Sequence, residues 1–227
     1  MKINEIYQSI EGEMSGHSQG ALTTFIRFQG CNLRCDYCDS KFTWSKDIGE
    51  DNWSPKEIVD KVKEYGNENV TITGGEPLMQ KRGLISLVKR LHDENCNVAI
   101  ETNGTYPLPK KIIEDDVYWI VDYKWGMNEK QKDTIFGTIN NLHDGDIVKF
   151  IIGNKEDFEN AIRIKDSFDM YLIQEDQPKF AFSPMHGKLS AKRLVSWLLS
   201  LNEADKLNLY LNTQLHKYIW KSTERGV

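Results

Sequence analysis

Residues 21–40 read ALTTFIRFQGCNLRCDYCDS. Their first eight positions alternate, with Leu22, Thr24, Ile26 and Phe28 on one side and Thr23, Phe25 and Arg27 on the other, the period of a β-strand. The strand runs directly into a loop that holds Cys31, Cys35 and Cys38, three of the four cysteines in the chain. Downstream, short β-branched runs alternate with helical stretches. Ser54-Pro55-Lys56-Glu57 supplies an N-cap serine, a proline at the first helical position and a glutamate three residues after the cap. Ile58, Val59, Val62 and Tyr65 then keep a helical stripe as far as Gly66. NVTIT (69–73), NVAIET (97–102), VYWIVD (117–122), DIVKFII (146–152), KFAFS (179–183) and LNLYLN (207–212) read as strands. RGLISLVKRLHDE (82–94), EDFENAIRIKDSF (156–168) and SAKRLVSWLLSL (190–201) read as helices between them. This rhythm predicts an α/β fold with a mainly parallel sheet and right-handed crossovers, either open or curled into a partial barrel.

A chain of 227 residues with 39% hydrophobic content fills a sizeable core, and no linker, repeat or low-complexity tract divides it, so one domain over 1–227 is expected. Four cysteines are too few for a disulfide scaffold at this length, and MKINEIYQSIEGE at the start lacks the apolar run of a signal peptide. A cytoplasmic protein with reduced thiols is the expectation. No stretch approaches the roughly 20 apolar residues of a membrane span. A net charge of −5 gives no basic footprint for nucleic acid, which leaves a small molecule as the expected partner.

Parallel strands put their C-terminal ends on one rim, where such folds carry their chemistry. The unusual residues fall there: Arg27 and the cysteines after the first predicted strand, then Thr73-Gly74-Gly75-Glu76-Pro77, Glu101-Thr102-Asn103-Gly104, Asp122 with Lys124, and near the end Gln214 and His216. Three thiols in one loop can hold zinc with a histidine as fourth ligand, or an iron-sulfur cluster through three of its irons. Structural zinc loops usually come as two CxxC knuckles, whereas C-x3-C-x2-C wraps three sulfurs around one turn and suits a larger object. A cubane held this way keeps one iron open for chemistry. Cys96 begins a predicted strand far from the loop and reads as a small buried hydrophobe.

The cysteine spacing, with Tyr37 before Cys38, resembles the signature of the radical S-adenosylmethionine enzymes, and Gly74-Gly75-Glu76-Pro77 is similar to their glycine-rich motif. The resemblance implies a 4Fe-4S cluster on Cys31, Cys35 and Cys38 whose open iron chelates S-adenosylmethionine. NEIYQSIEGE (4–13), FIRFQGCNLRCDYCDS (25–40) and the closing QLHKYIW with RGV (214–227) resemble one branch, the 7-carboxy-7-deazaguanine synthases. That branch implies a trimmed version of the usual six-stranded partial barrel. It also implies a carbon-nitrogen lyase of queuosine and 7-deazapurine biosynthesis, which contracts the ring of 6-carboxy-5,6,7,8-tetrahydropterin to 7-carboxy-7-deazaguanine with loss of ammonia. Mg2+, a homodimer and an electron donor of the flavodoxin or ferredoxin type come with it. Other radical S-adenosylmethionine chemistry, such as activation of a glycyl-radical enzyme, and a zinc-stabilised binding module are the alternatives.

Carried over residue by residue, the resemblance gives the pterin to Ile10 (through its backbone), Glu11, Gly12 and Glu13, with Glu11 standing where a glutamine is often found. Arg27 suits the substrate carboxylate, since a planar guanidinium grips it at two points, and Thr73, Gln214 and His216 complete the substrate set. Ser40 matches the Mg2+ ligand, with Asp39 beside it. Tyr37, Cys38, Asp39, Gly74, Gly75, Glu76, Glu101, Asn103, Asp122 and Lys124 fall on the S-adenosylmethionine side. Here Asp122-Tyr123-Lys124 replaces the family's Ser-Pro-Lys. No protein acid or base stands out from the sequence.

Overall fold

The computed structural model describes residues 1–45, 52–113, 117–169, 177–203, 205–221 and 224–226. Val227, the last residue of the closing motif, lies outside them. The described elements follow in order: β1 (Ile3–Ile10), β2 (Leu22–Phe28), α1 (Pro55–Tyr65), β3 (Asn69–Gly74), α2 (Lys81–Asp93), β4 (Asn97–Thr102), α3 (Lys110–Ile113) and β5 (Val117–Tyr123). They continue with α4 (Glu129–Ile139), β6 (Ile147–Ile152), α5 (Lys155–Asp169), β7 (Lys179–Pro184), α6 (Ala191–Leu199), β8 (Leu209–Leu211) and α7 (His216–Ile219).

The strands form one sheet in sequential order from β1 to β8. β1 runs antiparallel to β2, and every later neighbour is parallel. The sheet is open, with β1 and β8 at its edges. The expected α/β class with a mainly parallel sheet is what forms, in its open form, and every strand read from the sequence lies within a residue or two of an observed one. No described helix is long and apolar enough to cross a membrane.

Four elements escaped the sequence reading: β1, α4 and the four-residue helices α3 and α7. β1 hides because a bulge between Ile3 and Glu5 shifts its register against β2, which breaks the two-residue period of INEIYQSI. In α4 only Ile135, Thr138 and Ile139 are buried, so its apolar stripe is thin. Its signal is the capping box of Asn128 and Gln131, in which each side chain accepts from the other residue's backbone N–H. The box read at Ser54 and Glu57 forms as expected. Leu22, placed with Ile26 and Phe28 on one face, is 62% exposed because it begins its strand at the sheet's rim.

Pleating sorts the side chains. Ile26, Phe28, Val70, Ile72, Val98, Ile100, Trp119, Val121, Val148, Phe150, Phe180 and Phe182 belong to the main core under the helices. On the inner face, Ala99, Ile120, Ile147 and Ala181 make a smaller cluster with Met14. Above it, toward the C-terminal rim, one polar side chain per strand faces inward: Arg27, Thr73, Glu101, Asp122, Lys149 and Ser183. Apolar side chains at the bottom and polar ones at the top of a single face are what a binding cavity in such a fold requires.

Candidate active site

A cavity of about 1320 Å³ opens over this polar row. Every candidate site residue named from the sequence lines it except Glu76. The cysteine loop walls one end, the loop after β1 (Ile10, Glu11, Gly12, Glu13) another, and Gln214 and His216 close the side from the chain's end.

The cysteine loop is tied to the glycine turn after β3. Gly75 N–H donates to Phe28 O at 3.0 Å and Glu76 N–H to Gly30 O at 2.8 Å. A Cβ on Gly75 would lie 2.0 Å from Gly30 O and 3.0 Å from Cys31 N, so only glycine allows this approach. The Glu76 side chain turns away from the cavity. It is fully buried, with Oε1 accepting from Leu78 N–H and the Thr102 hydroxyl, both at 2.9 Å, and Oε2 from Asn103 N–H at 2.8 Å. Burial pushes its pKa up to about 7 against the pull of these donors. Asn103, fixed in this way, donates through Nδ2 to Asn32 Oδ1 at 3.0 Å and approaches Cys31 Sγ at 4.0 Å, while Asn32 donates to Thr105 Oγ1 at 2.8 Å. Glu76 thus braces the rim of the cysteine loop from below and does not line the cavity.

Cys31, Cys35 and Cys38 are half-buried. Burial, together with the charges of the neighbouring thiols, pushes Cys31 and Cys35 up, so a metal's positive charge is what would make them thiolates. Cys31, Cys35 and Cys38 line the same cavity from one loop. Three thiols presented together are the donor set that an iron-sulfur cluster takes through three of its irons, and the residues present fit one.

A model of the Radical SAM superfamily matches residues 25–164. Over its whole length the chain is 34% identical to the 7-carboxy-7-deazaguanine synthase of Clostridium acetobutylicum, covering 99% of that protein, and 32% identical to that of Koribacter versatilis, covering all of it. The chain belongs to the 7-carboxy-7-deazaguanine synthase family of radical SAM enzymes. Its fold is similar to that of crystalline QueE from Escherichia coli, with a TM-score of 0.68 at 23% identity over 94% of this chain and 93% of that one. It is also similar to Streptococcus suis SuiB bound to S-adenosylmethionine, with a TM-score of 0.57 at 15% identity over 82% of this chain and 48% of that one. A zinc-stabilised binding module is thereby set aside.

In this family member the remaining side chains form two ion networks. Arg27 donates from Nε to Glu5 Oε1 at 2.7 Å, from one terminal nitrogen to the Tyr7 hydroxyl and from the other to Ser40 Oγ at 3.4 Å. Ser40 Oγ in turn donates to Asp39 Oδ1 at 3.1 Å, so two oxygens stand together beside the cysteine loop. In the second network Lys149 lies 2.8 Å from Glu13 Oε2 and 3.0 Å from Asp122 Oδ1, and Asp122 Oδ2 pairs with Lys124 at 2.9 Å. Lys124 is held above its ordinary value by Asp122 against the effect of burial, and it faces Cys35 and Tyr37. Burial pushes the Tyr37 hydroxyl up to about 12, and it accepts from Trp125 N–H at 3.3 Å. Glu11 and Glu101 take hydroxyl donors two residues apart on β3: Thr71 donates to Glu11 at 2.7 Å, and Thr73 donates to Glu101. Burial raises both acids, Glu11 to about 7.

Glu5, Tyr7 and Lys149 were not read as site residues from the sequence. Glu5 and Tyr7 lie on the unrecognised β1. Lys149 did leave a signal, as a lone charge inside the apolar run IVKFII.

Proposed function

We propose that this chain converts 6-carboxy-5,6,7,8-tetrahydropterin to 7-carboxy-7-deazaguanine with release of ammonia, as a carbon-nitrogen lyase of 7-deazapurine and queuosine biosynthesis. The observation that carries this reading is the convergence of all three family segments, 4–13, 25–40 and 214–226, on one cavity with three thiols at its end. When bound, the cluster and S-adenosylmethionine supply the radical that takes hydrogen from the substrate.

The chain's own residues bind, orient and exclude water. Arg27, oriented by Glu5 and Tyr7, offers its outer edge to the substrate carboxylate. Glu11 and Glu13, with the backbone at Ile10 and Gly12, face the pterin edge, and Thr73, Gln214 and His216 complete that half. The cofactor half of this reading takes Gly74, Gly75, Glu101, Asn103, Asp122 and Lys124 with Tyr37, Cys38 and Asp39, which line the same cavity as the thiols. Ser40 and Asp39 present the hard oxygens that Mg2+ takes, and a Mg2+ there would also receive the substrate carboxylate. Ser40→Ala is expected to raise the Mg2+ concentration needed for half-maximal rate by about tenfold, the effect of losing one ligand or its orientation. An unchanged Mg2+ requirement removes Ser40 from the role. The reading further takes a cytoplasmic homodimer, with electrons from a donor of the flavodoxin or ferredoxin type.

Gly12 fixes how closely the pocket closes. Its carbonyl accepts from Leu215 N–H at 2.8 Å, and a Cβ there would lie 2.5 Å from His216 Nδ1. Gly12→Ala must therefore displace the imidazole from the substrate side, with a rise in KM of about tenfold and a smaller change in kcat. Steady-state kinetics checks this.

The test of the whole reading is an anaerobic assay on cluster-reconstituted protein with S-adenosylmethionine, reductant, Mg2+ and 6-carboxytetrahydropterin. The expected result is 7-carboxy-7-deazaguanine by mass, with S-adenosylmethionine not consumed. Cleavage of S-adenosylmethionine without that product would leave the superfamily chemistry standing and overturn the substrate.

A further inference from the structure

Nothing in the packing of β6 asks for a lysine. Val148, Phe150 and Ile152 enter the main core, while Lys149 rises on the inner face between Ile147 below and Ile151 above. Its side chain is 5% exposed, and a buried ammonium is tolerated only when it is well paired. Its two partners come from different halves of the cavity: Glu13, from the loop after β1, and Asp122, whose other oxygen holds Lys124 beside the cysteine loop.

Glu13 is the more tightly held of the two. Oε2 receives Lys149 at 2.8 Å and Asn212 Nδ2 at 2.9 Å, and Oε1 receives Gln214 Nε2 at 2.8 Å. Asn212 is itself fixed by donating to Ser183 Oγ at 2.6 Å. A carboxylate has about four acceptor directions. Among the described residues three are taken by protein donors, and the one left, on Oε1, belongs to a residue that lines the cavity.

We propose that Lys149 is a positioning residue: with Asn212 and Gln214 it clamps the Glu13 carboxylate, leaving one lone pair of Oε1 as the acceptor for an N–H edge of the heterocyclic substrate. This rests on the functional reading above and adds to it the group that selects a ring with a donor at that edge. Burial alone would push Glu13 up, and Lys149 holds it well below the usual carboxylate range. The other titratable groups whose charges act in this cluster are Glu11 on the same loop, Asp39 beyond the cysteine loop, Glu101 on β4, Asp122 on β5, Lys124 just after it, and His216 and Lys217 on α7. Lys124 is paired with Asp122 and Lys217 with Asp39, so without Lys149 the Glu13 carboxylate is left buried beside Glu11 and Glu101 without its paired cation and takes up a proton as pH falls.

The experiment compares cluster-reconstituted, S-adenosylmethionine-bound holoenzyme in wild-type, Lys149→Met and Lys149→Arg forms. Binding of 6-carboxytetrahydropterin is followed through fluorescence of Trp44 and Trp220, which line the cavity, and turnover is measured from about pH 6 to 8.5. Lys149→Met is expected to bind the pterin about tenfold or more weakly at about pH 6.5, the usual effect of unpairing a buried charge, and to regain part of that loss by about pH 8.5. KM should change more than kcat. Lys149→Arg, which keeps the charge, is expected to stay within about threefold and to keep the pH profile of the wild type. Unchanged iron content and S-adenosylmethionine affinity in the Met variant separate this effect from misfolding. A Met variant that binds as wild type, or one weakened equally at every pH, overturns the role of Lys149. Wild-type enzyme that does not bind the pterin overturns the functional reading itself, before any variant is compared.

Discussion

Gly75→Ala is expected to leave a folded chain that fails to retain its cluster, with activity lower by about two orders of magnitude or more, as misplacement of a reacting group by about 1 Å commonly costs. The added Cβ would lie 2.0 Å from the carbonyl oxygen of Gly30 and 2.5 Å from its carbonyl carbon, and both are backbone atoms with no rotamer to yield. Either the glycine turn retreats, which breaks the bonds from Gly75 N–H to Phe28 O and from Glu76 N–H to Gly30 O, or the start of the cysteine loop is driven outward. Cys31 shifts relative to the glycine turn in both cases, because its backbone nitrogen lies at the same contact. Overpacking of this kind destabilises by about 1–3 kcal/mol, which a domain of this size survives. The signature is therefore loss of iron ahead of loss of fold: iron per chain after anaerobic reconstitution should fall sharply while the far-ultraviolet circular dichroism stays near wild type. Gly137→Ala in α4, where a Cβ would meet nothing, is the control that keeps its iron. A Gly75→Ala enzyme with full iron and activity would mean that the two loops are not locked as described.

The sheet was legible because its parallel strands are nearly continuous apolar runs punctuated by glycine, proline and caps, and such runs leave little choice of period. β1 was not, since a bulge spoils its alternation and its pairing with β2 is decided by partners some twenty residues away. The site was legible wherever a residue type is rare in its context: the three cysteines, the Gly74-Gly75 pair, Arg27 in a strand. Position along the chain does not show direction, and this is where the reading and the structure part. Glu76 lies in the motif yet points under the loop, while Lys149 lies in a core strand yet points into the cavity. Both follow from pleat and turn geometry, which set the side of the chain each residue occupies only after the neighbouring strand is in place.

Glu76→Gln is expected to lower the melting temperature by about 2–12 °C at neutral pH and to weaken cluster retention with it, although the carboxyl does not line the cavity. Oε1 serves Leu78 N–H and Thr102, and Oε2 serves Asn103 N–H. An amide has one acceptor oxygen, so whichever way it turns, one buried backbone N–H faces an NH2 group. That unpaired donor costs about 1–3 kcal/mol, and about 2–4 °C accompanies each kcal/mol in a chain of this size. A neutral carboxylic acid does better than the amide, because its hydroxyl oxygen keeps a lone pair for an incoming N–H while its proton can go to Thr102 Oγ. The sign of the pH dependence follows. Burial raises the folded-state pKa from the ordinary 4.5 to about 7, so the stability it contributes is fully present below the ordinary value and is lost as pH rises through about 7. The gap between wild type and Glu76→Gln should then be widest near about pH 5 and narrower by about pH 8. Paired thermal melts across that range measure it, and a gap constant with pH would show that the three donors keep Glu76 ionised throughout. The loss of iron tests a different link, since Asn103 hangs from Glu76 and holds Asn32 beside Cys31. If the variant melts early yet keeps its cluster, that chain of hydrogen bonds stabilises the fold without positioning the thiols.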